Sequence, residues 1–485
     1  MKQKLLLSLF FLCTAAMAWA DVEINETTFP DENFRSFLLE QEYGSDGVLT
    51  DAEIAGVTSI NVREKDIQSL KGIEYFTALK ALHCAKNQLT SLDVSKNTAL
   101  TELICWTNML TALDVSKNTA LEYLDCAYNQ LTAIDVSKNI ELDTLYVDYN
   151  QLTAIDVSKN TALTALWCGV NELTSLDLSQ NIALEELICD ENYLTELDVS
   201  KNTALKNLIC IFNDLTALDV TKNTALEELQ CAFNYLTVLD VTKNTALKTF
   251  YCGYNQLTAL DLSKNTALED LWSGNNPLTA LDVSKNTALT MLACEQNQLK
   301  ELDVSQNTAL EELYCSDNQL TELDVSKNPA LTRLSCLINQ LTSLDVSKNI
   351  ALTDMAIYQN QIHGENMEAL IAGMPTVAEG TMYALYYENE QNVLTTKLAA
   401  AAKAKGWKLF ACTGLDDRGY EVWEEYEGGT GIGTIDNGQL TMDNGTAIYD
   451  LGGQMVNGKL SNGKLSNGKL PRGIYIVGGK KVAIK

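Results

Sequence analysis

The sequence predicts a β-rich solenoid in which short parallel strands stack coil upon coil. Three observations carry this prediction: a 21-residue repeat without insertions, a short apolar alternation in every repeat, and ladders of asparagine. A clean unit runs from 100 to 120 and reads LTELICWTNMLTALDVSKNTA. A single unit cannot close a core, so neighbouring units must stack in register to bury their apolar faces.

The L-x-C segment of each repeat has a period of two. This pattern is typical of a strand whose Leu and Cys point inward while their neighbours point outward. A second alternation, Leu-Asp-Val-Ser, suggests another extended run on the other flank of the coil, too short for a helix. In the unit above it covers Leu113 to Ser116, with Leu113 and Val115 inward.

Polar ladders accompany the strands. One asparagine ladder runs from Asn87 to Asn360 at fourteen positions, and a second runs from Asn97 to Asn349 at thirteen. At the turn that leaves each strand, a buried amide can bond backbone groups of the adjacent coil that the strand no longer satisfies. An aspartate ladder runs from Asp93 to Asp345.

Eleven cysteines share one position of the repeat. In-register parallel strands hold inward side chains about 4.8 Å apart, whereas a disulfide prefers a Cβ separation of about 3.8 Å. A row of single thiols also forms no tetrahedral metal site. Because the same position holds Val147, Ser273 and Ile357, we predict buried free thiols. The eleven are Cys84, Cys105, Cys126, Cys168, Cys189, Cys210, Cys231, Cys252, Cys294, Cys315 and Cys336.

This frame resembles the leucine-rich repeats of bacterial surface proteins, especially the internalin J type with its 21-residue unit and strand cysteine. The resemblance covers about residues 79–360, where the repeat motif recurs fourteen times. It implies a right-handed, curved solenoid whose strand face contacts other macromolecules, often on host or neighbouring cells. It does not name the ligand.

Two segments precede the repeats. Residues 1–20 have the layout of a cleavable signal peptide, with Lys2 and Lys4 before an apolar run and small residues at the end. Residues 21–78 carry an amphipathic helical piece and resemble the N-terminal cap of bacterial leucine-rich-repeat proteins. A solenoid needs such a unit to cover its open core.

One stretch of the N-terminal cap has partial calcium-loop spacing. Glu42, Asp46, Gly47 and Glu53 match positions of an EF-hand loop, but a glycine replaces one carboxylate ligand. A capping box from Thr50 to Glu53 is the favoured alternative. We therefore predict no cofactor and no metal.

Two segments follow the repeats. Residues 361–426 predict a small cap, with helices at 365–373 and 395–405 and a strand after them. Residues 427–485 shift to Gly, Asn and Lys and predict a β-module with short strands. Tyr449 to Gly452, Pro471 to Val477 and the closing lysines resemble the C-terminal sorting domain of Bacteroidetes type IX secretion cargo. A β-module with no sorting role remains the alternative.

Charge and histidine content limit the classes of function. The formal net charge of −29 becomes −31 without Lys2 and Lys4, and such a surface repels nucleic acid. No apolar run outside the first twenty residues is long enough to span a bilayer. The only histidines, His83 and His363, lie at opposite ends of the repeats and cannot form one catalytic pair. We predict a non-enzymatic protein.

Aromatic side chains cluster at the outward positions of the strand and at the position before the first asparagine ladder. An exposed aromatic stripe of this length indicates an interaction surface, although stacking along the sheet could explain part of it. The candidate ligand-binding residues are Trp106, Tyr128, Tyr146, Tyr149, Trp167, Phe212, Phe233, Tyr251, Tyr254, Trp272 and Tyr314.

The predicted function is recognition of, or adhesion to, a protein on a host or neighbouring cell through the strand face. Acidic pairs such as Glu185-Glu186 flank the aromatic positions and suit a partner with a basic rim. One alternative is glycan binding, with Trp106, Trp167 and Trp272 as stacking platforms. Another is a structural spacer. The predicted location is secreted or cell-surface, after export across the inner and the outer membrane.

Overall fold

The computed structural model describes residues 21–416 and 418–426, and the backbone of short strands between 433 and 484. The predicted signal peptide, residues 1–20, lies outside the described residues. The chain divides into two compact units, Met1–Tyr193 and Leu194–Lys485, and each is described by itself. The segment boundaries 20/21, 78/79, 360/361 and 426/427 stay predictions.

The first unit opens with a small α/β cap. A two-residue antiparallel pair and two helices precede the first parallel strand, and Asp31 caps the first helix by accepting from the Phe34 backbone N–H. Short 3₁₀ turns lie at Glu42–Gly44 and Ile73–Tyr75. The elements are β1 Val22–Glu23, α1 Glu32–Glu40, β2 Val48–Leu49, α2 Asp51–Gly56 and β3 Ser59–Asn61.

Six repeat strands of three residues follow in the first unit. Each pairs in parallel with the next at a register of 21 residues, as Leu103 with Leu124. The central Leu is fully buried in every one, because it is the inward position of the alternation. The strands are β4 Ala81–His83, β5 Glu102–Ile104, β6 Tyr123–Asp125, β7 Thr144–Tyr146, β8 Ala165–Trp167 and β9 Glu186–Ile188.

The first asparagine ladder ties each turn to the coil before it. Asn129 donates from Nδ2 to the backbone oxygens of Cys105 and Cys126 at 3.1 Å each, and its Oδ1 accepts from the Leu110 N–H at 3.0 Å. The predicted role of this ladder, bonding of backbone groups in the adjacent coil, is confirmed.

The second flank of the coil differs from the prediction. Leu113 and Val115 are buried as expected, but no strand forms there in any of the described repeats. Instead, the Asp114 carboxylate accepts from the Ser116 backbone N–H at 2.9 Å. In this turn the Ser116 N–H is therefore not available for a hydrogen bond to a neighbouring strand. Asn118, from the second ladder, donates to the backbone oxygens of Val94 and Asn97 at 3.0 and 2.8 Å.

The residue before each asparagine of the first ladder has a left-handed backbone conformation, with φ between 48° and 56° at all fourteen positions. None of the fourteen is glycine, so each carries strain of order 1–3 kcal/mol. Hydrogen bonds across the coils hold the turn. The Tyr128 N–H donates to the Asp148 oxygen at 2.9 Å, and the Tyr128 oxygen accepts from the Asn108 N–H at 3.2 Å.

Eight further repeat strands lie in the second unit, again parallel and at a register of 21 residues. The inward Leu is replaced by Phe250 and Met355 in two of them, and both are fully buried. The strands are β10 Asn207–Ile209, β11 Glu228–Gln230, β12 Thr249–Tyr251, β13 Asp270–Trp272, β14 Met291–Ala293, β15 Glu312–Tyr314, β16 Arg333–Ser335 and β17 Asp354–Ala356.

A cap closes the repeats of the second unit, and both predicted helices are present. The sheet continues through two parallel strands and one antiparallel strand. Glu390 ties this cap together by accepting the backbone N–H groups of Gln359, Tyr386 and Asn392 at 2.8–2.9 Å. The elements are α3 Glu365–Gly373, β18 Gly380–Leu385, α4 Thr396–Ala404, β19 Trp407–Leu415 and β20 Glu421–Glu425.

The C-terminal tail forms short strands, as the sequence predicts. The strands are β21 Gly433–Thr434, β22 Ile448–Asp450, β23 Leu460–Ser461, β24 Lys464–Leu465, β25 Gly473–Val477 and β26 Lys480–Ile484. β22 pairs with β25 and β25 with β26, both antiparallel. The predicted C-terminal β-module is therefore present as a small sheet.

The cysteine ladder is part of the core. All eleven repeat cysteines, and Cys412, are buried and free of disulfide bonds. Burial raises the pKa of Cys84 and Cys336 to about 12, so these thiols are protonated at neutral pH. Val147, Ser273 and Ile357 fill the same column and are fully buried. The prediction of buried thiols that act as small apolar side chains is confirmed.

Candidate functional site

In the first unit, the candidate residues Tyr128 and Tyr149 form an exposed aromatic stack. Their ring centroids are 4.0 Å apart with planes at 11°, and the two side chains are 48% and 43% exposed. The left-handed turn explains this exposure, because it directs the side chain away from the core. The sequence did not fix the direction of this column, and the structure turns it toward solvent.

A second pair lies on the strands beside that stack. Tyr146 and Trp167 stack at 4.2 Å with planes at 24°, and Tyr123 meets the edge of Tyr146 at 5.6 Å. All three side chains are half-buried. The rings meet because their strands are neighbours in register. Part of each ring surface is therefore covered by another ring of the sheet and is not free to contact a ligand.

Partly buried carboxylates with raised pKa values lie near these rings. Burial raises the pKa of Asp125 and Asp148 to about 6, and the Asp125 and Asp190 charges also raise the pKa of Asp148. The Asp148 Oδ1 atom is buried and has no hydrogen-bond partner among the described residues. Asp190 closes over Gly169, where an added Cβ would lie 2.2 Å from its Oδ1. This part of the sheet therefore concentrates negative charge.

Trp106 has a different environment from the other candidates. The Arg63 guanidinium lies 4.6 Å and the Lys86 ammonium 5.3 Å from the ring centroid. Glu64 lies 2.7 Å from the Lys86 ammonium, and this ion pair lowers the pKa of Glu64. Cations within the chain already contact the ring of Trp106, so it offers less free surface than the tyrosine stack.

In the second unit, three candidates form a continuous stack at the turn position. Phe212, Phe233 and Tyr254 lie one coil apart, with successive centroids at 4.1 Å and planes at 16° and 12°. Phe212 and Tyr254 are 49% and 42% exposed. This stack joins apolar ring faces across three coils.

Trp272 and Tyr314 are held by carboxylates. The Trp272 indole donates to Glu295 at 2.8 Å, and an added Cβ at Gly253 would lie 2.8 Å from its ring. Tyr251 meets Trp272 edge-on at 6.1 Å. The Tyr314 hydroxyl donates to Glu312 at 2.8 Å. These three side chains are half-buried, and their orientation is set by neighbours within the sheet.

The structure adds an aromatic cluster that the sequence did not predict. Tyr358 stacks on Tyr386 at 5.1 Å, and Trp423 meets Tyr383 edge-on at 5.0 Å. The cluster was missed because the 21-residue period ends at Asn360, so nothing aligned these residues with the repeat columns. Tyr358 itself occupies the column of Trp106 and was the one available signal.

The partial calcium-loop motif is used for structure. Glu53 is part of a capping box on α2: it accepts from the Thr50 backbone N–H at 2.8 Å, while the Thr50 hydroxyl accepts from the Glu53 N–H. Within the described residues, no group of three metal-ligating side chains comes together. His83 lies 3.0 Å from Glu102 and is part of a surface pair on β4 and β5.

Comparison with solved structures decides the family. The functional domain of InlJ from Listeria monocytogenes, which includes a cysteine ladder, is 31% identical to the chain with a TM-score of 0.71. The match covers 96% of this chain and 98% of that domain. The chain belongs to the internalin J family of leucine-rich-repeat proteins.

Other comparisons agree with this internalin fold. Internalin J of L. monocytogenes serotype 4b is 42% identical over 71 residues, which is 14% of this chain and 8% of Internalin J, so the match spans a small part of that protein. A leucine-rich-repeat protein of Leptospira interrogans has a TM-score of 0.64 at 22% identity, over 74% of this chain and 96% of that one. No protein-family model matches the chain.

The internalin J-like repeat therefore supplies a fold associated with recognition or adhesion. Within the described residues, no helix is long and apolar enough to span a membrane.

Proposed function

We propose that this internalin-like chain is an exported recognition protein that binds a protein partner through its strand face. The single observation that carries the proposal is the exposed Tyr128–Tyr149 stack near the carboxylates of Asp148 and Asp190. Rigid aromatic side chains that are accessible on a fixed scaffold are the common anchors of protein interfaces. The first unit thus contains an anchor of the required kind.

The charge of the surface selects the chemistry of the partner. Burial and the neighbouring Tyr149 raise the pKa of Tyr128 to about 12, and the charges of Asp148 and Asp190 add to this, which places them near the exposed stack. Burial and the repulsion between Asp148 and Asp190 both disfavour their ionised forms. A Lys or Arg side chain from a partner would offset this repulsion. A protein with apolar contacts and a basic rim fits, and nucleic acid does not, because the chain has a net charge of −29.

The same proposal includes export of the chain and its display at the cell surface. The proposed signal is residues 1–20, and the proposed sorting signal is the tail from 427 to 485. We propose no catalytic activity for the described residues, since the aromatic and acidic groups of the strand face lie on an open surface and not in an enclosed pocket.

The test is capture of surface proteins from host or neighbouring cells on the full chain and on a paired variant. Tyr128→Thr with Tyr149→Val introduces residues that neighbouring coils already carry at the same position, as Thr107 and Val170 do. We expect the identified partner to bind this variant at least 30-fold more weakly, as for loss of an aromatic anchor worth ~2 kcal/mol.

The matched control is Ile140→Thr, which removes an exposed apolar side chain at a position where other coils carry Thr. It should bind like the parent. If the paired variant and the control both bind like the parent, or if no partner depends on the stack, recognition through this face is contradicted. The structural spacer would then be the better account.

A further inference from the structure

A shallow groove in the second unit suits a different class of ligand from the Tyr128–Tyr149 stack of the first unit. It has a volume of about 560 Å³ and is lined by residues of five successive coils at the turn edge. Its outer wall is formed by the left-handed turn residues Tyr254, Asn275, Gln296 and Asp317 and by the residues that follow the ladder asparagines, among them Tyr235 and Gln298. Four steps of ~4.8 Å give it a length of about 19 Å, more than a single sugar ring needs.

One aromatic face is open toward this groove. Tyr254 is the last ring of the stack, and Phe233 covers one of its faces at 4.1 Å. In the next coil the corresponding residue is Asn275, so the stack ends there and the other face of Tyr254 borders the groove. Tyr235 adds a second ring that is 51% exposed. The electron-rich face of such rings attracts the C–H groups of a sugar.

Amide groups surround these two rings. Gln256, Gln296 and Gln298 are exposed, and their side chains make no hydrogen bond within the part of the chain that the structure describes. Each free amide offers two donors and a carbonyl acceptor, which matches the paired hydroxyls of a sugar. The lining contains one charged side chain, Asp317.

The floor of the groove is rigid. Asn255 donates to the backbone oxygens of Cys231 and Cys252 at 3.0 and 3.1 Å and accepts from the Leu236 N–H at 2.9 Å. Asn276 makes the same bonds one coil later. The groove is therefore held in place before any ligand binds, which lowers the entropy cost of binding.

From these contacts we propose that the groove is a subsite for a neutral oligosaccharide, a role additional to the protein binding proposed for the Tyr128–Tyr149 stack. The two rings stack on sugar faces and the glutamine amides bond the hydroxyls. Sialylated and sulfated glycans are disfavoured, because Asp317 lines the groove and the chain has a net charge of −29.

The experiment is isothermal titration of the full chain with cellohexaose, maltohexaose, mannohexaose and laminarihexaose, each up to 5 mM. Sialyllactose and a heparin hexasaccharide serve as charged probes. We expect at least one neutral hexasaccharide to bind with a Kd between ~10 µM and ~1 mM, as is usual for small open sites, and neither charged probe to bind.

Two variants connect binding to the groove without disturbing the fold. Tyr254→Asn and Tyr235→Gln each introduce the residue found one coil later at the same position, Asn275 and Gln256. Asn also tolerates the left-handed conformation. Each variant should weaken binding of the neutral sugar at least tenfold.

The matched controls are Tyr193→Gln and Gln340→Ala, which change exposed residues of the Tyr235 column outside the groove. Both should bind like the parent. The proposal is overturned if no neutral hexasaccharide binds at 5 mM, if the charged probes bind equally well, or if both groove variants bind like the parent. The two groove variants assign sugar binding to this groove, and the titration contains no protein partner, so its failure is distinguishable from failure of protein capture.

Discussion

Truncation of one rung of the first asparagine ladder tests the physical account of the fold. In Asn129→Ala, the Leu110 N–H loses its acceptor at 3.0 Å, whereas the Cys105 oxygen loses one donor at 3.1 Å and keeps the Asn108 amide at 3.0 Å. Asn129 is buried, so water cannot readily replace the lost partners. A buried polar group without a partner costs about 1–3 kcal/mol, which is the loss expected for the one orphaned donor, the Leu110 N–H.

The assay is urea unfolding of the full chain, followed by circular dichroism. Asn129→Ala should lower the free energy of unfolding by about 1–3 kcal/mol, and Asn318→Ala, the equivalent rung in the second unit, by a similar amount. The control is Asp114→Asn, an exposed turn residue that can still accept from the Ser116 N–H, and it should leave the midpoint unchanged. A loss below about 1 kcal/mol for both ladder variants would refute the reasoning, because it would mean that the buried backbone groups find other partners.

Three further predictions follow from the same structure. The pKa of Asp148 is about 6 in the folded chain against an ordinary 3.8, so its contribution to stability is fully present below pH 3.8 and is lost as the pH rises through 6. Asp148→Asn should therefore raise the free energy of unfolding by ~1–2 kcal/mol at pH 7.5, after discounting for solvent screening, and by nothing at pH 4; equal gains at both pH values would contradict this. Reaction with a thiol reagent should be slow on the native chain and should reach about twelve thiols in denaturant without reductant, as twelve described cysteines are free and buried; a count near zero would show disulfides instead. Glu390→Ala should lower the free energy of unfolding by ~3–5 kcal/mol in a urea titration, because the cap loses a buried acceptor of several N–H groups; a loss below 1 kcal/mol would show that the cap does not depend on it.

Much of the repeat architecture could be predicted from the sequence, because the 21-residue period places the same residue type at the same position of many repeats. The inward Leu and Cys, the parallel register and the ladder of Asn129 all follow from that period, and the structure confirms them. The cap helices were also predicted, since helix propensity is a local property.

The second flank shows where local pattern was insufficient. Leu113 and Val115 point inward as an alternation requires, yet the segment is a turn held by Asp114. Alternation reports which side chains are buried, whereas strand formation also needs backbone donors free to pair with the next coil.

The candidate site divides in the same way. The sequence by itself determined which residues share a column and therefore that Tyr128 and Tyr149, or Phe233 and Tyr254, lie one coil apart. Only the tertiary structure decided that the turn column is left-handed with Tyr128 and Tyr149 exposed, that Trp106 is contacted by cations of its own chain, and that partial burial raises the pKa of Asp148 to about 6. Those outcomes depend on contacts between coils, where hydrogen bonds, neighbouring charges and loss of solvent act together, and a one-dimensional period carries no information about their strengths.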